Sequence, residues 1–194
     1  MKMKVVVARY NEDVGWTSQF QNVIIYNKGA PLDGSFNEIP LANVGREGHT
    51  YYKYICDNYD NLEDHMVFLQ GNPFDHSPNV IAKIYGIETT TTKFEFLSEN
   101  ILDCNLSGCP HHVGLPMADV YFKIFNMSLT DYAFRFGAGA QFVVSKEVIM
   151  SRPRSFYLKI VEMLEKSVNP IEGFVIERLH AIIFSDMPAF SDNI

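Results

Sequence analysis

The sequence predicts an α/β domain whose sheet is mostly parallel and flanked by helices. Three short runs, KVVVARY at 4–10, VIIY at 23–26 and HMVFL at 65–69, are continuous and apolar, the pattern of strands buried on both faces. Between the second and third lies residues 47–59, where Tyr51, Tyr54, Ile55 and Asn58 recur at helical spacing. Strand and helix thus alternate through the first half, which favours parallel neighbours with helices on both faces.

Each element follows in order. Residues 4–10 form the first strand, ending in polar residues. Asp13 can cap a short helix running to about residue 21. Residues 23–26 form the second strand, and 27–42, with Gly and Pro breakers among Asp and Asn, read as loop. Helix 47–59 and strand 65–69 come next. Ser77 as a cap and Pro78 at the first helical position start a helix to about residue 85. Residues 87–117 show few periodic signals and read as irregular, with one strand at 93–97. VYFKIF at 120–125 reads as an edge strand, and AQFVV at 140–144 as a strand after a GAGA turn. Residues 147–166 are helical with a break at Pro153, and 170–184 form an amphipathic helix whose Phe174, Ile176, Leu179, Ile182 and Ile183 cluster on one side.

Composition excludes several classes. At 194 residues and 47% hydrophobic, the chain suits one domain with a full core rather than a disordered tail. A net charge of −7 with scattered Lys and Arg argues against a nucleic-acid partner, while leaving room for a local basic pocket. Three cysteines, an odd count, argue against a disulfide framework. The N-terminus is basic and then apolar, but Arg9, Asn11, Glu12 and Asp13 end the apolar run too early for a signal peptide. No stretch approaches the roughly 20 apolar residues of a membrane span, so a soluble, cytoplasmic chain is expected.

Five constellations carry chemistry. ARYNED at 8–13 ends the first strand, where Arg9, Asn11 and Glu12 can meet a base or ribose or form an ordinary solvated turn. NVGREGHTYY at 43–52 combines a glycine that permits close approach, an arginine suited to anions and a helix start with free N–H groups. There Asn43 can equally be a plain cap and Arg46 the partner of Glu47 or Asp64. VFLQGNPFDH at 67–76 breaks an apolar strand with Gln70, Gly71 and Asn72, then returns Asp75 and His76 towards the same edge. Its oxygen ligands can hold a hard divalent cation, or the segment is a tight turn and His76 a cap. In CNLSGCPHH at 104–112, Cys104, Cys109, His111 and His112 invite a zinc reading, but the spacing is not that of paired knuckles and a reduced loop is the better reading. Glu172, Glu177, Arg178 and His180 share the last helix, where Glu177 is either a general base or half of an ion pair.

Together, ARYNED, NVGREGHTYYKYI, VFLQGNPFDH and the C-terminal FYLKIVEML and ERLHAIIF blocks resemble a small glycosyltransferase-like family of unknown function. That family is similar to nucleotide-sugar transferases of the GT-A fold, a Rossmann-like α/β domain. The resemblance covers most of the chain, is most specific over 8–85, and is slight over 87–135. It implies a single GT-A-like domain over 1–194, with 1–86 the nucleotide-binding half and 87–194 the acceptor-side half. Arg9, Tyr10 and Asn11 would border the nucleotide, and Asn43, Gly45 and Arg46 would line the donor pocket. Gln70, Gly71 and Asn72 stand where such transferases carry an Asp–x–Asp metal motif, and neutral amides are poorer ligands for Mg²⁺ or Mn²⁺ than carboxylates. Asp75 is the nearby carboxylate that would replace them as metal ligand, or Arg46 would neutralise the diphosphate unaided.

The expected function is therefore transfer of a sugar from a nucleotide-sugar donor to a saccharide or other hydroxyl acceptor. Mn²⁺ or Mg²⁺ is the candidate cofactor, and Asp75 and Glu177 are the candidate catalytic carboxylates. The alternatives are a non-catalytic sugar- or nucleotide-binding module and, last, a metal-dependent phosphoesterase.

Overall fold

The computed structural model describes residues 2–185. They form one α/β domain around a six-stranded mixed sheet of order β3-β2-β1-β4-β8-β5. The strands are β1 (Met3–Arg9), β2 (Val23–Asn27), β3 (Glu38–Pro40), β4 (His65–Gln70), β5 (Phe94–Phe96) and β8 (Phe142–Ser145). A separate antiparallel pair, β6 (Ile101–Asn105) and β7 (Ala133–Gly137), stands beside the sheet. The helices are α1 (Arg46–Asn58), α2 (Val80–Tyr85), α3 (Met117–Phe125), α4 (Lys146–Met150), α5 (Arg154–Leu164) and α6 (Ile171–Ile183).

The apolar runs dictate the centre. β1 pairs in parallel with both β2 and β4, so the three strongest runs are neighbours, as expected. Alternate side chains enter two cores, as the period of a strand requires. Val6, Ile24, Tyr26, Met66 and Phe68 pack with α1, α5 and α6. Val5, Val7, Ile25, Val67 and Leu69 pack on the other face with Val80 and Ile84 of α2 and with Trp16 and Phe20. Helices thus cover both faces.

Beyond β4 the sheet departs from the expected, mostly parallel form. β8 runs antiparallel to both β4 and β5. The path of the chain explains it. β5 runs parallel to β4 and delivers the chain to the carboxyl edge of the sheet. The 97–141 excursion closes where Leu97 N donates to Gln141 O at 2.9 Å, so β8 enters beside the end of β5 and must run back.

Local differences have local causes. Residues 120–125 belong to helix α3 rather than an edge strand: Met117, Val120, Tyr121, Ile124 and Phe125 are buried at 3- and 4-residue spacing, a pattern hidden when the window begins at Val120. The segment after Asp13 is a single 3-10 turn, Gly15–Gln19, and the Asp13 carboxylate accepts from Gly15 N at 2.8 Å. Ser77 does not cap α2; its hydroxyl donates to Leu97 O at 2.6 Å. β3, β6 and β7 are short strands that the sequence did not announce, whereas the break at Pro153 separates α4 from α5 as expected. No helix among the described residues is long and apolar enough to cross a membrane.

Candidate functional site

β1 and β4 lie side by side at the centre, and the chain leaves β1 towards β2 but leaves β4, through α2, towards β5. A crevice opens outside the carboxyl ends of strands where the order reverses in this way. Here it is a cleft of about 350 Å³. Ala8, Arg9, Tyr10 and Glu12 from the end of β1 line it, with Lys28 after β2, Asn43, Arg46 and Glu47 at the start of α1, and Gln70, Asn72 and Asp75 after β4. Eight of the residues singled out in the sequence (Arg9, Tyr10, Glu12, Asn43, Arg46, Gln70, Asn72 and Asp75) therefore meet on one wall system.

Arg9 is the buried frame of this cleft. Its Nε donates to Glu12 O at 2.9 Å, and its Nη1 to Asn27 Oδ1 at 2.7 Å and Ala30 O at 2.8 Å. The guanidinium thus ties the ends of β1 and β2 together. Asn11 does not line the cleft; its Oδ1 accepts from Ala30 N at 3.0 Å. Tyr10 is half exposed at the rim, and its N–H is held by the Glu12 carboxylate at 2.7 Å.

The start of α1 is held from outside the helix. Gly45 and Arg46 both have left-handed backbones, with φ of 65° and 53°. Such a conformation costs a non-glycine residue about 1–2 kcal/mol, and it persists only where the surroundings enforce it. The loop after α5 does so: Gly45 N donates to Ser167 O at 2.8 Å, and Arg46 N to Val168 O at 3.4 Å. Those two N–H groups are accordingly spent on protein carbonyls. What the helix start offers the cleft is the Arg46 side chain. Its guanidinium carbon lies 4.1 Å from the centroid of the Phe174 ring, and its Nη1 donates to Asn169 Oδ1 at 3.2 Å. Its Nε, beyond hydrogen-bond reach of any acceptor, forms an ion pair with Glu47 Oε2 at 3.7 Å, the partner the sequence offered.

Lys28 and Glu47 complete the charge pattern. Lys28 Nζ donates to Val44 O at 2.6 Å and to Arg46 O. Burial lowers its pKa to about 8, against the pull of Glu47. The Glu47 carboxyl is raised above its ordinary value by burial; Arg46 opposes the shift and the Glu177 charge adds to it. The sequence did not point to Lys28; Glu47 belongs to the 43–52 segment it singled out, there as a partner for Arg46. Lys28 follows directly on β2, so attention to the carboxyl end of every parallel strand would have found it.

Asp75 lines the cleft with Asn72 Nδ2 donating to its Oδ2 at 3.1 Å. Glu177 stands apart from the cleft wall. Its Oε1 accepts from Gly139 N at 2.8 Å and its Oε2 is 3.3 Å from Arg178 Nη1, which makes it a brace between α6 and the turn before β8. Gly45 supports the cleft without lining it. Among the described residues no group of three or more His, Cys, Asp or Glu is placed to hold a metal ion. Asp75 with Gln70 and Asn72 supplies a single carboxylate, a poor fit to Mg²⁺ or Mn²⁺.

The sequence matches the family described as a protein of unknown function (DUF3431) over residues 5–193. No curated protein and no solved structure matches it.

Proposed function

The chain belongs to the DUF3431 family of unknown function, and we propose that its cleft binds a nucleotide sugar and passes the sugar to a hydroxyl of a saccharide or similar acceptor. The observation that carries this reading is the meeting of three βα junctions at the point where the strand order reverses, with Arg46 and Lys28 beside one another on the wall. That is where α/β sheets take nucleotides. In a GT-A-like arrangement Tyr10, half exposed at the rim, offers a flat surface to the base. Arg46 and Lys28 face the diphosphate and stabilise the charge that develops on it as the sugar leaves. Of the cleft carboxylates, Glu12 holds Tyr10 N and Glu47 is buried beside Arg46, which leaves Asp75 as the candidate to take the acceptor proton. Because the residues present do not make a cation site, no step runs through a metal.

The test is calorimetry with a panel of nucleoside diphosphates, followed by donor hydrolysis and transfer assays with and without Mn²⁺. Saturable binding lost in Arg46→Ala, together with turnover of one donor, is expected. Absence of binding by any nucleoside diphosphate would sink the reading. Binding without turnover would favour a non-catalytic module, which the engagement of Lys28 by two backbone carbonyls also suits.

A further inference from the structure

The loop CNLSGCPHH is not used by the cleft, yet it holds a closely built arrangement of its own. Asn105 and Gly108 form an antiparallel bridge closed by Gly108 N donating to Asn105 O at 3.1 Å. One step back on each side, Cys104 and Cys109 are then directly opposite. Opposed residues of an antiparallel pair have Cα atoms roughly 4.5–5.5 Å apart, inside the roughly 4.4–6.8 Å that a disulfide spans. Both thiols are free and buried, and each shifts the other's ionisation; Cys104 Sγ donates to Asn105 O at 3.9 Å. Their chain neighbours Ser107 and Pro110 are exposed, so the pair lies just beneath the surface.

A third group makes the pair asymmetric. Arg178, itself buried, points its Nε at Cys109 Sγ from 3.1 Å. Its guanidinium carbon lies 4.8 Å from the Phe136 ring centroid, and its Nη1 donates to Phe174 O at 2.6 Å. A fixed cation beside one sulfur favours the thiolate there. Burial works to raise Cys109, but the bonds from Arg178 and Cys104 bring it below the ordinary thiol value, while burial and Cys109 push Cys104 up to about 12.

We propose that Cys104 and Cys109 are a site of reversible covalent modification, closing to an intrachain disulfide by exchange with a small disulfide of the glutathione type, with Cys109 as the attacking sulfur. The Cys109 thiolate attacks one sulfur of the small disulfide, forming a mixed disulfide and expelling one thiolate. That thiolate takes the Cys104 proton. The Cys104 sulfur then attacks Cys109, forming the internal bond and releasing the second small thiol as its thiolate, which takes back from solvent the proton Cys109 gave up. Two protein thiols are oxidised and one small disulfide is reduced. Closure removes the anionic partner of Arg178 Nε and leaves the guanidinium on Phe174 O and Glu177, the residue that holds Gly139 N.

The experiment equilibrates the intact chain with reduced and oxidised glutathione at stepped ratios. It is then quenched with an alkylating agent under denaturing conditions and weighed by mass spectrometry. The reduced chain carries three alkyl groups. The expected oxidised chain carries one, on Cys56, and has lost two hydrogens; the Gly139 amide resonance shifts with it and returns on reduction. Cys104→Ser should stop at a stable glutathione adduct on Cys109, whereas Cys109→Ser should form the Cys104 adduct much more slowly. Three alkyl groups at every ratio, a bond that includes Cys56, or equal adduct rates in the two variants would overturn the proposal. No nucleotide enters the measurement, so its result is independent of the function assigned to the cleft.

Discussion

The guanidinium carbon of Arg46 stands 4.1 Å from the centroid of the Phe174 ring, so a residue of the first helix is steadied by a residue of the last. The contact spans 128 positions of sequence (174 − 46) and fixes an otherwise long, mobile side chain at the cleft wall. Arg46→Ala should weaken nucleoside-diphosphate binding by about 1.5–3 kcal/mol, the scale of a hydrogen bond to a charged group. Phe174→Leu should cost less, about 0.5–1 kcal/mol, because it removes only the ring beneath a retained charge. Calorimetry distinguishes them; an Arg46→Ala variant that binds like the parent would make this contact purely structural.

Lys28 gives the same binding a pH signature. Its pKa of about 8 means that it carries its charge below that pH and loses it above. Affinity for the diphosphate should therefore fall as pH rises through about 8, with the inflection displaced upwards once the bound anion stabilises the ammonium. Lys28→Met should bind weakly throughout and show no such inflection. A parent profile flat from neutral pH to well above 8 would rule the lysine out as an anion ligand.

Two histidines set the acid limit of the fold. Burial lowers His180 from the ordinary 6.5 to about 3, and both its ring nitrogens lack partners inside a cage that includes Tyr51, Tyr52 and Phe142. Burial, then the charges of Lys28 and Lys53, lower His49 to about 4. Each native histidine resists protonation that the unfolded chain accepts, so the unfolded state binds more protons as pH falls. The stability they contribute is present above about 6.5 and is lost downwards through about 4 and then about 3, at up to about 1.4 kcal/mol per pH unit for each group. Denaturant melts of His180→Phe should show a shallower acid slope than the parent; equal slopes would refute the assignment.

Gly29 permits a close approach of backbone to backbone. A Cβ placed there would sit 1.6 Å from Tyr10 O, an impossible contact, whereas one at Gly34 would meet nothing within 4 Å. Gly29→Ala should separate the β1 and β2 ends and destabilise by more than the ~1 kcal/mol typical of point changes. Gly34→Ala should leave the melting temperature nearly unchanged. If both variants melt alike, the junction is more pliable than its contacts imply.

The parts legible in the sequence were those whose signal is local. The runs ending at Arg9, Asn27 and Gln70 carried their own buried character, and the cleft followed from the rule that parallel strands share a carboxyl edge. The antiparallel placement of β8 was not legible, because Phe142 to Ser145 reads the same in either direction and only the route of the preceding chain decides. For Glu177 the sequence offered a general base or half of an ion pair, and the structure shows the ion pair with Arg178. What no spacing rule reveals is that its other oxygen accepts from Gly139 N, a partner 38 residues away. Lys28 was missed because a single lysine in a loop carries no pattern until the neighbouring strand ends are brought together.

The late entry of β8 has a consequence for biosynthesis. His65–Leu69 is buried, and on one edge the strand's hydrogen-bonding partner is Phe142–Ser145. A ribosome must add more than seventy residues after Gln70 before that partner exists (142 − 70 = 72). During that interval the nascent chain presents an apolar strand with one open edge, the feature that templates mispairing between chains. Chains released before Phe142 should be held by chaperones or degraded, and fragments for recombinant work should end beyond Ser145.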